Sequence, residues 1–251
     1  MFGALDNGST DHAPSATWSL GLALVLLLAV GVFAAWRGRL RIERHLVTAA
    51  ARALIQLVAV AAIIAAVLDR TWALLLFALT MFGVAVATAA GRSQARHDWP
   101  WVALALGAGA APVLVVVFLS GAADFTGPAI IPIAGIVIGV TMTAHTLTAR
   151  RAFDALRAGK GQVEAALALG LPRPHAIRLV ISPHAPEALT PVLDQTRTVG
   201  LVTLPGAFVG VLLGGGSAAQ AAAAQLLVLV GLLAAETVVV VASQRLIADG
   251  R

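Results

Sequence analysis

Long apolar runs alternate with short polar stretches along this chain. A helix of roughly 20 apolar residues spans the ~30 Å hydrocarbon core of a bilayer. Seven runs reach that length: Trp18 to Trp36, Leu46 to Leu68, Trp72 to Gly91, Trp101 to Ser120, Pro128 to Leu147, Leu189 to Leu213 and Ala219 to Ser243. The pattern predicts an all-α, polytopic membrane protein with seven transmembrane helices, in a single transmembrane domain over 1–251.

The polar stretches set an expected orientation. Arg37, Arg39, Arg41 and Arg44 follow the first run, and Arg92 and Arg96 follow the third. Arg150, Arg151, Arg157, Lys160, Arg173 and Arg178 follow the fifth, and Arg245 and Arg251 the last. The alternate loops hold Asp6, Asp11, Asp69 and Asp124, with Arg70 as their basic residue. Cytoplasmic loops carry the excess of Lys and Arg. The N-terminus is therefore expected outside and the C-terminus in the cytoplasm, across a plasma (inner) membrane. The stretch before the first run has aspartates and no basic residue. A signal peptide would carry a positive leader there, so the first run is expected to stay as a helix.

Composition narrows the classes. Apolar residues make up 59% of the chain and charged ones 12%, too few to cover a soluble fold. Mean hydropathy is +0.92. The basic balance does not point to nucleic acid, because no Lys/Arg cluster is interleaved with aromatics. The chain has no cysteine, which excludes disulfides, thiolate metal sites and cysteine nucleophiles. It lacks a G-x-x-x-x-G-K-[ST] run, so it builds no phosphate loop of that kind, and it lacks H-E-x-x-H. Ser217 after Gly214–Gly216 is a faint echo of a membrane serine protease, without G-x-S-G.

The stretch 150–188 reads as a cytoplasmic loop with its own helical grammar. Gly159-Lys160-Gly161 breaks the preceding helix, and Gln162 to Leu169 predicts a short one. Gly170 suits a left-handed helix end, and Pro172 suits the first turn of a second helix running toward Pro183. Such a loop is longer than a simple connector needs.

Glu164-Ala165-Ala166, then Gly170, then Val180, Ser182 and Pro183 resembles the EAA loop of ABC-importer-type permeases, with Val180 and Ser182 in place of the usual Ile and Leu. The resemblance implies that Glu164, Ala165, Ala166, Gly170 and Pro183 form a coupling helix that docks into a separate ABC ATPase. Further runs are similar to the Fet-type permeases, a family identified with iron export that has plant relatives tied to aluminium tolerance. They are Asp194 to Gly206, Ile131 to Gly139, Arg52 to Leu57, and Gln225. Val140 stands where that family commonly has Asn, and Ala207 and Phe208 where it has two methionines. Membership implies a permease subunit with no catalytic residue or cofactor of its own, with ATP and Mg in the partner. It also implies a complex of two permeases and two ATPases in the bilayer, exporting iron or another metal ion. A nucleotide sugar, a lipid or another small solute is the alternative cargo, and a membrane scaffold or intramembrane protease the alternative class.

Ionisable side chains inside apolar runs are costly and mark candidate pathways or gates. Arg52 and Gln56 are four apart and share a helix face. Asp194 and Arg197 are three apart and can pair. Glu236 lies deeper, in the last run, as a candidate cation ligand, partner for Arg52 or cavity residue. Met142 and His145 share a face, and thioether with imidazole suits soft or borderline metals. Pro205 removes a helix hydrogen bond beside Thr203, and such a break is tolerated only where buried in protein or wet. Gly206, Gly210 and Gly214 at intervals of four are expected to allow close helix approach, as are Gly135 and Gly139. Thr203, Pro205, Gly206 and Gly210 are therefore the expected lining of a path.

Overall fold

A computed structural model describes residues 18–67, 71–93 and 98–250. Asp6, Asp11, Asp69, Arg70, Arg96 and Arg251, invoked for orientation, lie outside them, as does the expected span end at Leu68. The described chain is helical, with one isolated backbone bridge between Val199 and Thr203 and no sheet. It divides into two compact units, 1–67 and 68–251.

The first unit is a helical hairpin, α1 (Trp18–Arg37) and α2 (Glu43–Val67). Arg39 and Arg41 in the turn between them take left-handed backbone angles, φ 54° and 56°.

The second unit contains α3 (Thr71–Arg92), α4 (Trp99–Leu119), α5 (Gly127–Ala158), α6 (Lys160–Ala168) and α7 (Arg173–Ile181). A 3-10 turn over Ser182–Leu189 leads into α8 (Thr190–Thr198), α9 (Gly206–Leu213) and α10 (Ala218–Ala248). Ala85, Val86 and Ala89 of α3 pack with Val102 and Leu106 of α4 and Ile138 of α5. A second cluster joins Val113 and Val117 of α4 to Val137 of α5, Val192 of α8 and Leu232 and Ala235 of α10.

Shared clusters fix the directions. Val137 clusters with Leu232 and Ala235, Ala144 with Val239 and Val240, and Ala152 with Ala248, while His145 lies against Ser243. Both numbers rise together, so α5 and α10 run parallel. Between α4 and α10 they run oppositely: Gly109 faces Ala235 and Val239, and Val113 faces Gly231. Parallel neighbours need a return connection, and residues 159–217 provide it.

Six helices among the described residues are long and apolar enough to cross a membrane, not seven: Trp18–Arg37, Glu43–Ile64, Trp72–Arg92, Trp99–Leu119, Ala129–Ala158 and Ala218–Ala248. The expected span from Leu189 to Leu213 does not form. The chain leaves α8 at Val199 in an extended conformation, turns at Gly200 with φ 79°, and restarts as α9 only after Pro205. Proline cannot supply the N–H that a continuous helix would need, and Gly200 donates instead to the Thr203 carbonyl at 2.8 Å. With six long helices, the placement of the two chain ends on opposite sides no longer follows from a count of crossings. Large apolar side chains stand outward on the long helices, Leu79 and Val116 among them, as lipid-facing surfaces do.

Candidate functional site

The loop after α5 folds into a hairpin of two short helices. Gly159 ends α5 and begins α6, and a side chain there would press on Val180 Cγ1 at 2.8 Å. At the far end of α6, Gly170 takes φ +87°. Its N–H donates to the Leu167 carbonyl at 2.9 Å, and the Leu171 N–H reaches back to Ala166 at 3.1 Å. That pair of bonds is a Schellman ending, which satisfies two helix-end carbonyls and favours glycine at the left-handed position. Pro172 then precedes α7, with Pro174 in its first turn. The expected helix–glycine–helix grammar is present, shifted at its first boundary from Gln162 to Lys160.

The hairpin is seated on the long helices. Ile177 and Ile181 of α7 pack with Ala152 of α5 and Ala248 of α10. Arg178 pairs with Asp249 at 3.3 Å, and Arg151 with Glu187 at 3.1 Å, while His184 Nδ1 lies 3.2 Å from the other Glu187 oxygen. These pairs are half exposed and individually weak, so the apolar contacts do most of the holding. Glu164 and Ala165 are exposed and Ala166 is buried, while Leu169, capping the end of this helix, is 82% exposed. Pro183 lies at the start of the 3-10 turn.

Beyond the turn, the return connection climbs along α10. Ala185 and Ala188 share a cluster with Val240, Val192 shares one with Leu232, and Phe208 N–H donates to Gln225 Oε1 at 3.3 Å. Asp194 and Arg197 approach to 3.9 Å on exposed α8. Between α8 and α9, Leu201, Val202, Thr203 and Leu204 are exposed around a glycine turn. The break at Pro205 is thus wider than the single missing bond expected there.

Other candidates are placed differently from expectation. Gly206 and Gly210 have no atom within 4 Å of an added Cβ, and Gly214 meets only its own helix, so the glycines of α9 make no close helix contact within the chain. On α5, Gly135 does meet Met81 closely, and Gly139 meets nothing. The closest approach is at Gly109 on α4, where an added Cβ would lie 2.6 Å from the Ala235 carbonyl and collide with Val239. Sequence reasoning missed it because Gly107-Ala108-Gly109-Ala110 offers several equivalent small residues.

Met142 and His145 do not converge. Met142 packs against the α3–α4 cluster, whereas His145 Nδ1 lies 2.8 Å from Ser243 Oγ on α10. His145 is buried, and its Nε2 has no partner among the described residues. It borders a small cavity of about 40 Å³ that Ser93, Asp98 and Phe153 also line. Glu236 is buried on α10 and makes no hydrogen bond or ion pair among the described residues. No group of three or more His, Cys, Asp or Glu able to hold a metal ion occurs among the described residues. Arg52 and Gln56 lie on α2, in the first unit.

This geometry is that of a multi-pass helical membrane protein, in keeping with an inner or plasma membrane. Residues 17–249 match UPF0014, described as an uncharacterised protein family, and the chain belongs to it. It is 30% identical to the UPF0014 membrane protein STAR2 of rice over 77% of this chain and 69% of that protein. It is 31% identical to ALUMINUM SENSITIVE 3 of Arabidopsis thaliana, over 76% and 71%. It is 29% identical to the probable iron export permease protein FetB of Escherichia coli, over 77% and 76%. No solved structure matches it.

Proposed function

We propose that this chain is the membrane-spanning permease subunit of an ABC transporter that exports a metal ion, with iron as the first candidate. A separate ATPase subunit, holding ATP and Mg, drives it, and two copies of each complete the machine. The observation that carries this reading is the α6–α7 hairpin. Its Gly170 turn presents exposed Glu164, Ala165 and Leu169 while Ile177 and Ile181 anchor it on the ends of α5 and α10. A force applied to α6 is therefore passed to two long helices of the bundle. The basic residues that gather at this end, Arg92, Arg150, Arg151 and Arg157 among them, support a cytoplasmic setting. The likeness to a protein named as a probable iron export permease supports the cargo class.

On this reading the path runs beside the opened backbone around Thr203, Pro205 and Gly206, with Glu236 as a cation ligand and Asp194, Arg197 and Gly210 as path or gate residues; Arg52 and Gln56, in the first unit, are proposed by themselves as gate residues of α2. Met142 and His145 serve separate packing roles and do not share one ion.

Gly170→Leu tests the coupling. Nothing lies within 4 Å of an added Cβ there, so the substitution crowds no neighbour inside the chain. It strains the left-handed turn by about 1 kcal/mol and places a bulky group on the docking surface. The variant should insert normally, yet lose ATPase co-purification and metal-stimulated ATP turnover. Survival of both would remove the coupling assignment.

A further inference from the structure

We propose that the α1–α2 turn is a binding site for the phosphate headgroup of an anionic phospholipid. Arg37, Arg39 and Arg41 line one open cleft of about 530 Å³ together with Trp36 and Glu43. Arg44 follows one residue further on. None of the four guanidinium groups has an ion-pair partner among the described residues. Three arginines facing one cleft repel each other, with only Glu43 to offset them. Glu43 lies in the first turn of α2, where the helix dipole already favours a carboxylate. The unbalanced positive charge calls for an anion.

The backbone reinforces the point. Arg39 and Arg41 hold left-handed angles that glycine would adopt without cost. Arginine at such positions is expensive, and here the strained backbone sets both side chains at the cleft. Strain of this kind marks sites where something besides folding selects the residue.

The surroundings favour a lipid over a free anion. The cleft lies where two membrane-length helices meet their connecting turn, which is headgroup level. Trp36, at its wall, suits the membrane interface. It packs against Phe33 one turn deeper at a centroid distance of 6.0 Å, and Val30 lies one turn below that. Phosphate at the arginines would leave the acyl chains on this apolar face of α1. Arginine forks match phosphate oxygens in pairs, which lysine does not.

The test is lipid binding to the purified full-length chain in detergent, read by native mass spectrometry with phosphatidylglycerol, phosphatidylcholine and glycerol phosphate as separate probes. The wild type should retain a phosphatidylglycerol that phosphatidylcholine does not replace. Arg37→Gln/Arg39→Gln/Arg41→Gln should bind it about a hundredfold more weakly, at roughly fivefold per arginine near a lipid surface. Arg37→Lys/Arg39→Lys/Arg41→Lys should keep part of the affinity, and circular dichroism of each variant reports helix content. If the triple Gln variant does not fold, Arg41→Gln alone should still weaken binding about fivefold. Equal binding of phosphatidylcholine, or unchanged affinity in the folded Gln variants, overturns the site. Displacement of the lipid by equimolar glycerol phosphate overturns the lipid assignment in favour of a soluble anion.

Discussion

Gln225 of α10 caps α9: its Oε1 accepts the N–H of Phe208 at 3.3 Å. The first N–H groups of any helix lack partners within it. Pro205, at the cap position of α9, has no side chain able to accept. The acceptor therefore comes from the neighbouring helix, and Gln225 is buried to deliver it.

Gln225→Leu keeps the bulk and removes the acceptor. A stability loss of about 1 kcal/mol is expected, at the low end for an unpaired buried donor because the bond is long. Amide exchange at Phe208 should rise, while the α10 amides near Val239 stay protected. Unchanged exchange at Phe208 would show that the cap contributes nothing.

Two glycines should respond in opposite ways. Gly109→Ala forces a methyl against Val239 and the Ala235 carbonyl, and overpacking of that kind costs about 1–3 kcal/mol. Gly210→Ala meets open space and should raise helix stability by about 0.5–1 kcal/mol. Thermal unfolding of the two variants in detergent separates them. A Gly210→Ala variant less stable than Gly109→Ala would show that α9 is packed within the chain and α4 is not.

The opened backbone between α8 and α9 is accessible to labelling because the native chain has no cysteine. Thr203→Cys should react with a water-soluble thiol reagent, and its rate should change when the ATPase partner is held in a nucleotide-bound state. Protection in every state would place the path elsewhere.

Much of the fold can be read from hydropathy, since all six long helices among the described residues begin within three residues of an expected span. The expected second span begins at Leu46 and its helix at Glu43, because polar first-turn residues do not register as apolar. The return connection fails for a different reason. Leu201, Val202 and Leu204 are as hydrophobic as helix residues, yet they sit in a turn set by Gly200 and Pro205. A window average counts their apolarity and ignores the broken hydrogen bonds. Gly170 was legible because a glycine after a short helix and before Pro172 has few other uses. Gly109 and the His145–Ser243 pair were not, because they depend on which of several similar positions meets α10. Helical spacing puts Met142 and His145 on one face, but α3 and α10 approach that face from two sides.

The parallel run of α5 and α10 bears on how the chain enters the bilayer. Consecutive antiparallel helices can insert as pairs, each shielding the other's polar groups. α5 and α10 cannot, because the broken connection must first bring the chain back to the start of α10. That connection exposes backbone between Val199 and Pro205, which hydrocarbon does not tolerate unless protein or water covers it. Its first half rests on both α5, through Val137 and Ala144, and α10, whereas α9 is held by Gln225 of α10, a helix synthesised afterwards. The first half can therefore settle on α5 as it emerges, while α9 must wait for α10, the template on which its own predecessor folds.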